Sequence, residues 1–84
     1  MSRRLRRRFG HAAMPKHVRQ LAYEITRYTL RDHPLPYAIA SRFGLSTDKW
    51  RAIYDLAPRA SGPGGEGEDW MAQRVGKIIM KRPS

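Results

Sequence analysis

The stretch PYAIASRFGLSTDKWRAIYDL, residues 36–56, decides the fold, because it holds the signals for two short helices and the turn between them. Gly44 marks the end of the first helix, since the residue just past a helix often takes a left-handed conformation that costs glycine little. Ser46 is a good N-cap for the next helix, and Asp48 adds a negative charge near its N-terminus. The stretch predicts helices from about Pro36 to Phe43 and from about Thr47 to Ala57, the latter ended by Pro58.

Small and apolar residues occur at fixed distances from this glycine. Ala40 lies four residues before it, Phe43 and Leu45 flank it, and Trp50 and Ile53 lie six and nine residues after it, with Ile39 completing the set. This spacing resembles the helix-turn-helix of bacterial and phage DNA-binding proteins over residues 37–57. The resemblance implies that the two helices cross closely at Ala40 and that the second helix enters the major groove of DNA.

If Trp50 and Ile53 point inward, the outward residues of the second helix are those that the resemblance places at base edges: Thr47, Asp48, Arg51 and Ala52. Arg51 suits a bidentate contact with guanine, Thr47 and Ala52 can meet a thymine methyl group, and Asp48 can accept from cytosine. Asp55 also points outward and disfavours nearby phosphates. The alternative for Arg51 is a solvated side chain or a weak ion pair with Asp48 or Asp55 at helical spacing.

Upstream of this pair, the spacing predicts a longer helix from Met14 or Pro15 to Arg31 or Asp32. One side of it is apolar at steps of three and four residues: Val18, Leu21, Ala22, Ile25, Tyr28 and Thr29. The opposite side is a cationic strip: Lys16, Arg19, Tyr23, Arg27 and Arg31. The strip is either a solvated surface or a contact for phosphates. His33, which precedes Pro34, and Pro36 then separate this helix from the next.

Charge indicates the class of partner. Seventeen Lys and Arg against seven Asp and Glu give the 84 residues a net charge of +10, which favours a polyanion. Residues 1–13 predict a flexible basic arm with too many like charges to pack. The arginines of the arm are predicted to contact phosphates or the minor groove of DNA. The side chains predicted to contact the nucleic-acid backbone, with the arm included, are Arg3, Arg4, Arg6, Arg7, Arg8, Lys16, Arg19, Arg27, Arg31, Arg42 and Lys49.

Beyond Pro58, six Gly, Ser and Pro residues within positions 61–67 predict a linker. A last helix, from about Trp70 to Lys81, has Met71, Val75, Ile78 and Ile79 on one side. That side either closes over the core or pairs with a second copy of the chain. The core expected without this helix is small: Leu21, Ile25, Tyr28, Ile39, Phe43, Leu45, Trp50 and Ile53.

The sequence thus predicts an all-α protein in four parts. Residues 1–13 are the basic arm, residues 14–58 a three-helix domain with the helix-turn-helix, residues 59–68 the Gly/Pro-rich linker and residues 69–84 the C-terminal helix. A homodimer is the favoured assembly, with the two major-groove helices about 34 Å apart on DNA.

The residues give no support for an enzyme, for a protein that binds a cofactor, or for a protein that spans a membrane. The three histidines, His11, His17 and His33, are not spaced as metal ligands, cysteine is absent, and no apolar run spans a bilayer. The leading hypothesis is a small DNA-binding regulator of phage or plasmid type, cytoplasmic and nucleoid-associated, that binds double-stranded DNA. The alternatives are a ribosomal-type structural RNA-binding protein, which reads shape and backbone, and a phage-type inhibitor whose basic surface docks on another protein.

Overall fold

The computed structural model describes residues 14–81, and this part of the chain consists of helices, turns and loops without a strand. The protein is therefore all-α, as the sequence predicts. The helices are α1 (Lys16–Asp32), α2 (Pro36–Phe43), α3 (Thr47–Tyr54), the single turn α4 (Ala57–Ala60) and α5 (Glu68–Met80). The predicted basic arm lies outside the described residues, as do positions 82–84.

The connection between α2 and α3 is the three-residue turn Gly44–Ser46. Gly44 adopts φ 67° and ψ 36°, and the backbone N–H of Leu45 donates to the carbonyl of Ala40 at 3.1 Å. This six-residue bond is the mark of a Schellman motif, which satisfies carbonyls that the end of a helix leaves free. Ser46 then caps α3 by accepting from the backbone N–H of Lys49 at 3.4 Å. The predicted bounds of α2 and the predicted cap of α3 are confirmed.

The first helix ends as the sequence indicates, but with an unusual residue at its C-cap. His33 adopts φ 49° and ψ 52°, a left-handed conformation more typical of glycine or asparagine. Pro34 follows it, and Pro36 begins α2. The side of α1 that is buried carries Val18, Ala22, Ile25, Thr26 and Thr29, which matches most of the predicted stripe.

The third helix is shorter than predicted, because it ends at Tyr54 instead of near Ala57. Pro58 has no N–H to donate to the carbonyl of Tyr54, so the α-helical ladder cannot continue through it. The chain turns at Asp55 and Leu56, and Pro58 is accommodated in the first turn of α4. The sequence predicts that the proline stops α3, but it does not predict the new helical turn that the proline begins.

The segment predicted as a linker is folded back on itself. The backbone N–H groups of Glu66 and Gly67 donate to the carbonyls of Arg59 and Ala60, at 2.8 and 3.0 Å. Ala60 is only 4% exposed and belongs to the core cluster. The composition of this segment predicts turns correctly, whereas the expectation of a free linker overlooks these main-chain bonds.

The core is larger than the sequence predicts, because α5 closes over it. The fully buried residues Ile25, Ile39 and Ile53 of the first three helices meet Met71 and Val75 of α5. The other predicted core residues are half-buried and pack against this cluster: Leu21, Tyr28, Phe43, Leu45 and Trp50. The sequence leaves open whether the last helix packs on its own chain or on a second copy, and in the structure it packs on the core of its own chain.

Candidate nucleic-acid interface

The outer surface of α3 consists of Thr47, Asp48, Arg51, Ala52 and Asp55, and all five residues are exposed. On the opposite side of the helix, Ile53 is fully buried and Trp50 is half-buried. The four residues predicted to contact bases therefore lie together on one accessible surface. A short turn of fixed geometry holds this helix against α2, so the position of the surface is determined by the core.

Arg51 has the geometry of an available hydrogen-bond donor. Its guanidinium carbon lies 5.8 Å from the centroid of the Trp50 ring. The only salt bridge among residues 14–81 joins Arg27 to Glu68, so Arg51 is not ion-paired with Asp48 or Asp55. Five N–H groups in a planar fork are thus presented at the surface, as a bidentate contact requires.

The charge of this outer surface does not itself favour DNA. Asp48 and Asp55 outnumber Arg51, so the surface of α3 carries a net negative charge. Residues 14–81 hold eleven Lys and Arg and all seven acidic residues, which leaves +4 of the total of +10. Any attraction to phosphates must come from basic residues elsewhere, because charge on the backbone of DNA dominates affinity.

Five of the predicted backbone contacts within the described part of the chain are exposed: Lys16, Arg19, Arg27, Arg31 and Arg42. The guanidinium of Arg42 lies over the ring of Tyr28, 4.8 Å from its centroid, and Tyr28 packs edge to face on Phe43. This stacking restricts the orientation of Arg42 without neutralising its charge. The predicted contacts Arg3, Arg4, Arg6, Arg7 and Arg8 lie outside the described residues.

Two of the predicted contacts have partners inside the protein. The guanidinium of Arg27 forms a salt bridge with Glu68 at 3.0 Å and lies over the Tyr23 ring. The ammonium of Lys49 donates to the carbonyl of Ile79 at 2.7 Å, where it satisfies a free carbonyl at the C-terminal end of α5. Arg27 thus joins α1 to α5, and Lys49 joins α3 to α5.

The cationic strip of α1 is therefore interrupted in its middle. Tyr23 donates its hydroxyl hydrogen to Asp69 at 2.8 Å, and this hydrogen bond, with smaller contributions from burial and from the charges of Asp69 and Glu68, raises the pKa of Tyr23. The acidic start of α5 thus binds the centre of the strip. The spacing of the strip does not reveal these contacts, because the partner acids lie more than forty positions away in sequence.

A second basic surface was missed by the sequence analysis. The α5 stripe, defined as Trp70, Arg74, Lys77 and Lys81, has one half-buried indole and three exposed cations. Arg59 of α4 also lies near this indole, 5.3 Å from the ring centroid, and Arg74 lies at 4.7 Å. The spacing of the stripe at four, seven and eleven residues was visible in the sequence. The position of Arg59 was not.

Within residues 14–81 there is no group of three or more potential metal ligands. A groove between α1 and α5 has a mixed lining of apolar, aromatic, polar and charged side chains: Met14, Lys16, Arg19, Gln20, Tyr23, Glu24, Arg27, Ala72 and Gln73. None of the helices in this part of the chain has the length and apolar character needed to cross a bilayer.

Comparison of the chain with models of protein families, with characterised proteins and with solved structures finds no significant match.

Proposed function

We propose that the protein binds double-stranded DNA through the α2–turn–α3 unit as a helix-turn-helix, with α3 in the major groove. The observation that carries the proposal is the accessible fork of Arg51 on an exposed helix surface, beside Thr47 and Ala52. A helix of this diameter fits the major groove of B-form DNA. The protein then acts as a transcriptional regulator of phage or plasmid type, at the nucleoid in the cytoplasm.

The proposal divides affinity from specificity. A net negative α3 surface contributes little attraction to phosphates, whereas a bidentate contact between Arg51 and guanine is worth about 1 to 3 kcal/mol of discrimination. Asp48 contributes selectively at a cytosine, since it accepts from the amino group and repels a poorly aligned phosphate. Affinity comes from the basic arm and from the exposed cations of α1 and α2.

The decisive experiment is selection of bound sequences from random duplex, followed by competition at about 0.15 M salt. We expect an enriched site that contains a guanine, and we expect Arg51→Ala to remove the preference at that base by about ten-fold or more. Arg51→Lys is the matched control, because it keeps the charge but loses the bidentate fork. Equal competition by random duplex, with no effect of Arg51→Ala, would reject sequence-specific regulation.

The basic arm is tested separately by deleting residues 1–13. Loss of five arginine contacts lowers the dependence of log affinity on log salt by as much as about 4.5, for all duplexes alike. An unchanged salt dependence would remove the arm from the mechanism. The selected site also reports the assembly, because a homodimer predicts two half-sites about one helical turn apart.

One observation favours structural RNA binding as the second candidate. Apart from Arg51, the exposed cations of the described helices lie on α1, α2, α4 and α5, whereas the outer surface of α3 is acidic overall. Proteins that recognise RNA by shape and backbone use basic surfaces and do not need a base-reading helix. Stronger binding to a structured RNA than to any selected duplex, unaffected by Arg51→Ala, would favour this candidate.

A further inference from the structure

The outer face of α5 is a basic stripe that the proposed contacts of α3 do not use. With 3.6 residues per turn, Trp70, Arg74 and Lys77 fall within an arc of about 60°, and Lys81 follows at the C-cap of the helix. The buried residues of the same helix, Met71, Ala72, Val75 and Gly76, lie on the other side and pack into the protein. The stripe therefore occupies the centre of the exposed face, and its three cations are exposed.

The acidic residues of α5 are kept away from this stripe. Glu68 binds Arg27 and Asp69 binds Tyr23, so both acids of the first turn face α1. None of Arg74, Lys77 and Lys81 forms a salt bridge with a residue of the described part of the chain. Three uncompensated charges therefore follow one another along the second half of α5 and its C-cap.

Trp70 organises the N-terminal end of the stripe. The guanidinium groups of Arg59 and Arg74 lie 5.3 and 4.7 Å from the centroid of its ring. Cation–π contacts of this kind fix the direction of a long side chain, so less conformational entropy is lost when the guanidinium binds a ligand. Two oriented guanidinium groups at one site suit phosphate oxygens, which accept bidentate hydrogen bonds.

We propose that the α5 stripe, together with Arg59, is a second nucleic-acid surface that binds the sugar-phosphate backbone of a duplex. The proposal takes the class of partner from the proposed function, but it does not require α3 to read bases. A row of cations without an intervening acid matches a continuous line of phosphates. An acidic protein surface is the less suitable partner, because its carboxylates are unevenly spaced and lie among lysine and arginine side chains.

The first test exchanges two neighbours on α5. The double substitution Gln73→Arg/Arg74→Gln moves one guanidinium away from Trp70 and leaves net charge and composition unchanged. Affinity for a random-sequence duplex of 20 base pairs is measured as a function of salt. We expect about a five-fold loss at about 0.15 M salt and a decrease of about 0.9 in the salt slope, the values for one phosphate contact. Equal affinity of the exchanged and native proteins would overturn the proposal.

A triple substitution enlarges the effect. Removing the three cations with Arg74→Gln/Lys77→Gln/Lys81→Gln is expected to weaken binding to the same duplex about a hundred-fold and to lower the salt slope by about 3. Retained slope and affinity would contradict the proposal. The result is independent of Arg51. Weaker binding of the triple variant, with no effect of Arg51→Ala, would support backbone binding by α5 and reject base reading by α3. Unchanged binding of the triple variant, with a loss of base preference in Arg51→Ala, would support base reading by α3 and reject backbone binding by α5.

The two tryptophans permit a direct measurement of contact. Trp50→Phe leaves Trp70 as the only indole, and its quenching by iodide reports access to the α5 stripe. We expect saturating duplex to reduce this quenching at least two-fold. Unchanged quenching, or equal protection by polyglutamate at the same charge concentration, would refute nucleic-acid backbone as the ligand. The exchange experiment does not depend on the folding of this variant.

Discussion

Two chain reversals border the same core, and they are held by different means. The turn Gly44–Ser46 joins α2 to α3 in three residues, with one left-handed glycine and one serine cap. The loop over residues 61–67 joins α4 to α5 in seven residues and is closed by main-chain hydrogen bonds to Arg59 and Ala60. The first depends on local conformational preference, whereas the second depends on close approach of one backbone to another. Substitutions in the two loops should therefore fail for different reasons.

The largest expected effect is at Gly65. A Cβ atom added there would collide with the backbone carbonyl oxygens of Ala60 and Ser61, which cannot move without breaking the loop. We expect Gly65→Ala to lower the free energy of unfolding by about 3 kcal/mol, as overpacking against fixed atoms does. Urea denaturation followed by circular dichroism gives the value.

The neighbouring glycine supplies the control for this measurement. A Cβ at Gly64 would meet no atom within 4 Å, and its φ is not in the left-handed region. Gly64→Ala should therefore change stability by no more than about 0.5 kcal/mol, with a gain expected from the reduced entropy of the unfolded chain. Similar losses of stability in both variants would show that the collision with the carbonyls of Ala60 and Ser61 is not the cause of the loss at Gly65.

The second expected effect is at Gly44, where space is open but the conformation is costly. No atom lies within 4 Å of an added Cβ, while φ is 67°. Gly44→Ala should cost about 1 to 2 kcal/mol, the usual penalty of the left-handed region. Gly44→Asn should recover part of that loss, because asparagine tolerates this region. Identical values for alanine and asparagine would indicate that strain is not the cause.

These two glycines also explain how far the sequence predicts the structure. Gly44 and Ser46 act on their immediate neighbours, so the bounds of α2 and the start of α3 follow from local signals. Gly65 acts through carbonyls whose positions depend on α4, and composition alone cannot distinguish a free linker from a closed loop. The start of α5 two residues before Trp70 follows from the same closure, since Gly67 donates to Ala60.

The residues of the candidate interface also form two groups, one that local sequence signals predict and one that depends on distant segments. Periodicity places Thr47, Asp48, Arg51 and Ala52 on one side of α3, and the structure agrees. Periodicity cannot reveal that Lys49 and Arg27 bind groups of α5, because those contacts span 30 and 41 positions in the sequence. Arg59 reaches Trp70 only after the loop has closed. A surface that one helix forms alone is therefore predictable, and one that two distant segments share is not.

The third prediction concerns Lys49, whose ammonium links α3 to the C-terminal end of α5 by donating to the carbonyl of Ile79. Lys49→Met keeps the apolar stem but removes the charged donor from the C-terminal end of α5. We expect a loss of about 1 kcal/mol, from the hydrogen bond and its interaction with the helix dipole. Lys16→Met is the comparison, since Lys16 is exposed and its ammonium has no hydrogen-bond partner among the described residues. Equal stability of the two variants would argue against the link.

The smallest expected effect is at Tyr23, whose hydroxyl joins α1 to the acidic start of α5. Tyr23→Phe should lower stability by about 0.5 kcal/mol at neutral pH, because the hydrogen bond is exposed. The bond to Asp69 raises the pKa of Tyr23 in the folded protein, so its contribution is complete below the unfolded pKa of tyrosine and disappears as pH rises through the folded value. The difference between native protein and Tyr23→Phe should thus shrink in alkaline solution, where the deprotonated phenol and the carboxylate repel each other. A difference that stays constant across the alkaline range would mean that the two proteins differ by packing of the ring and not by this hydrogen bond.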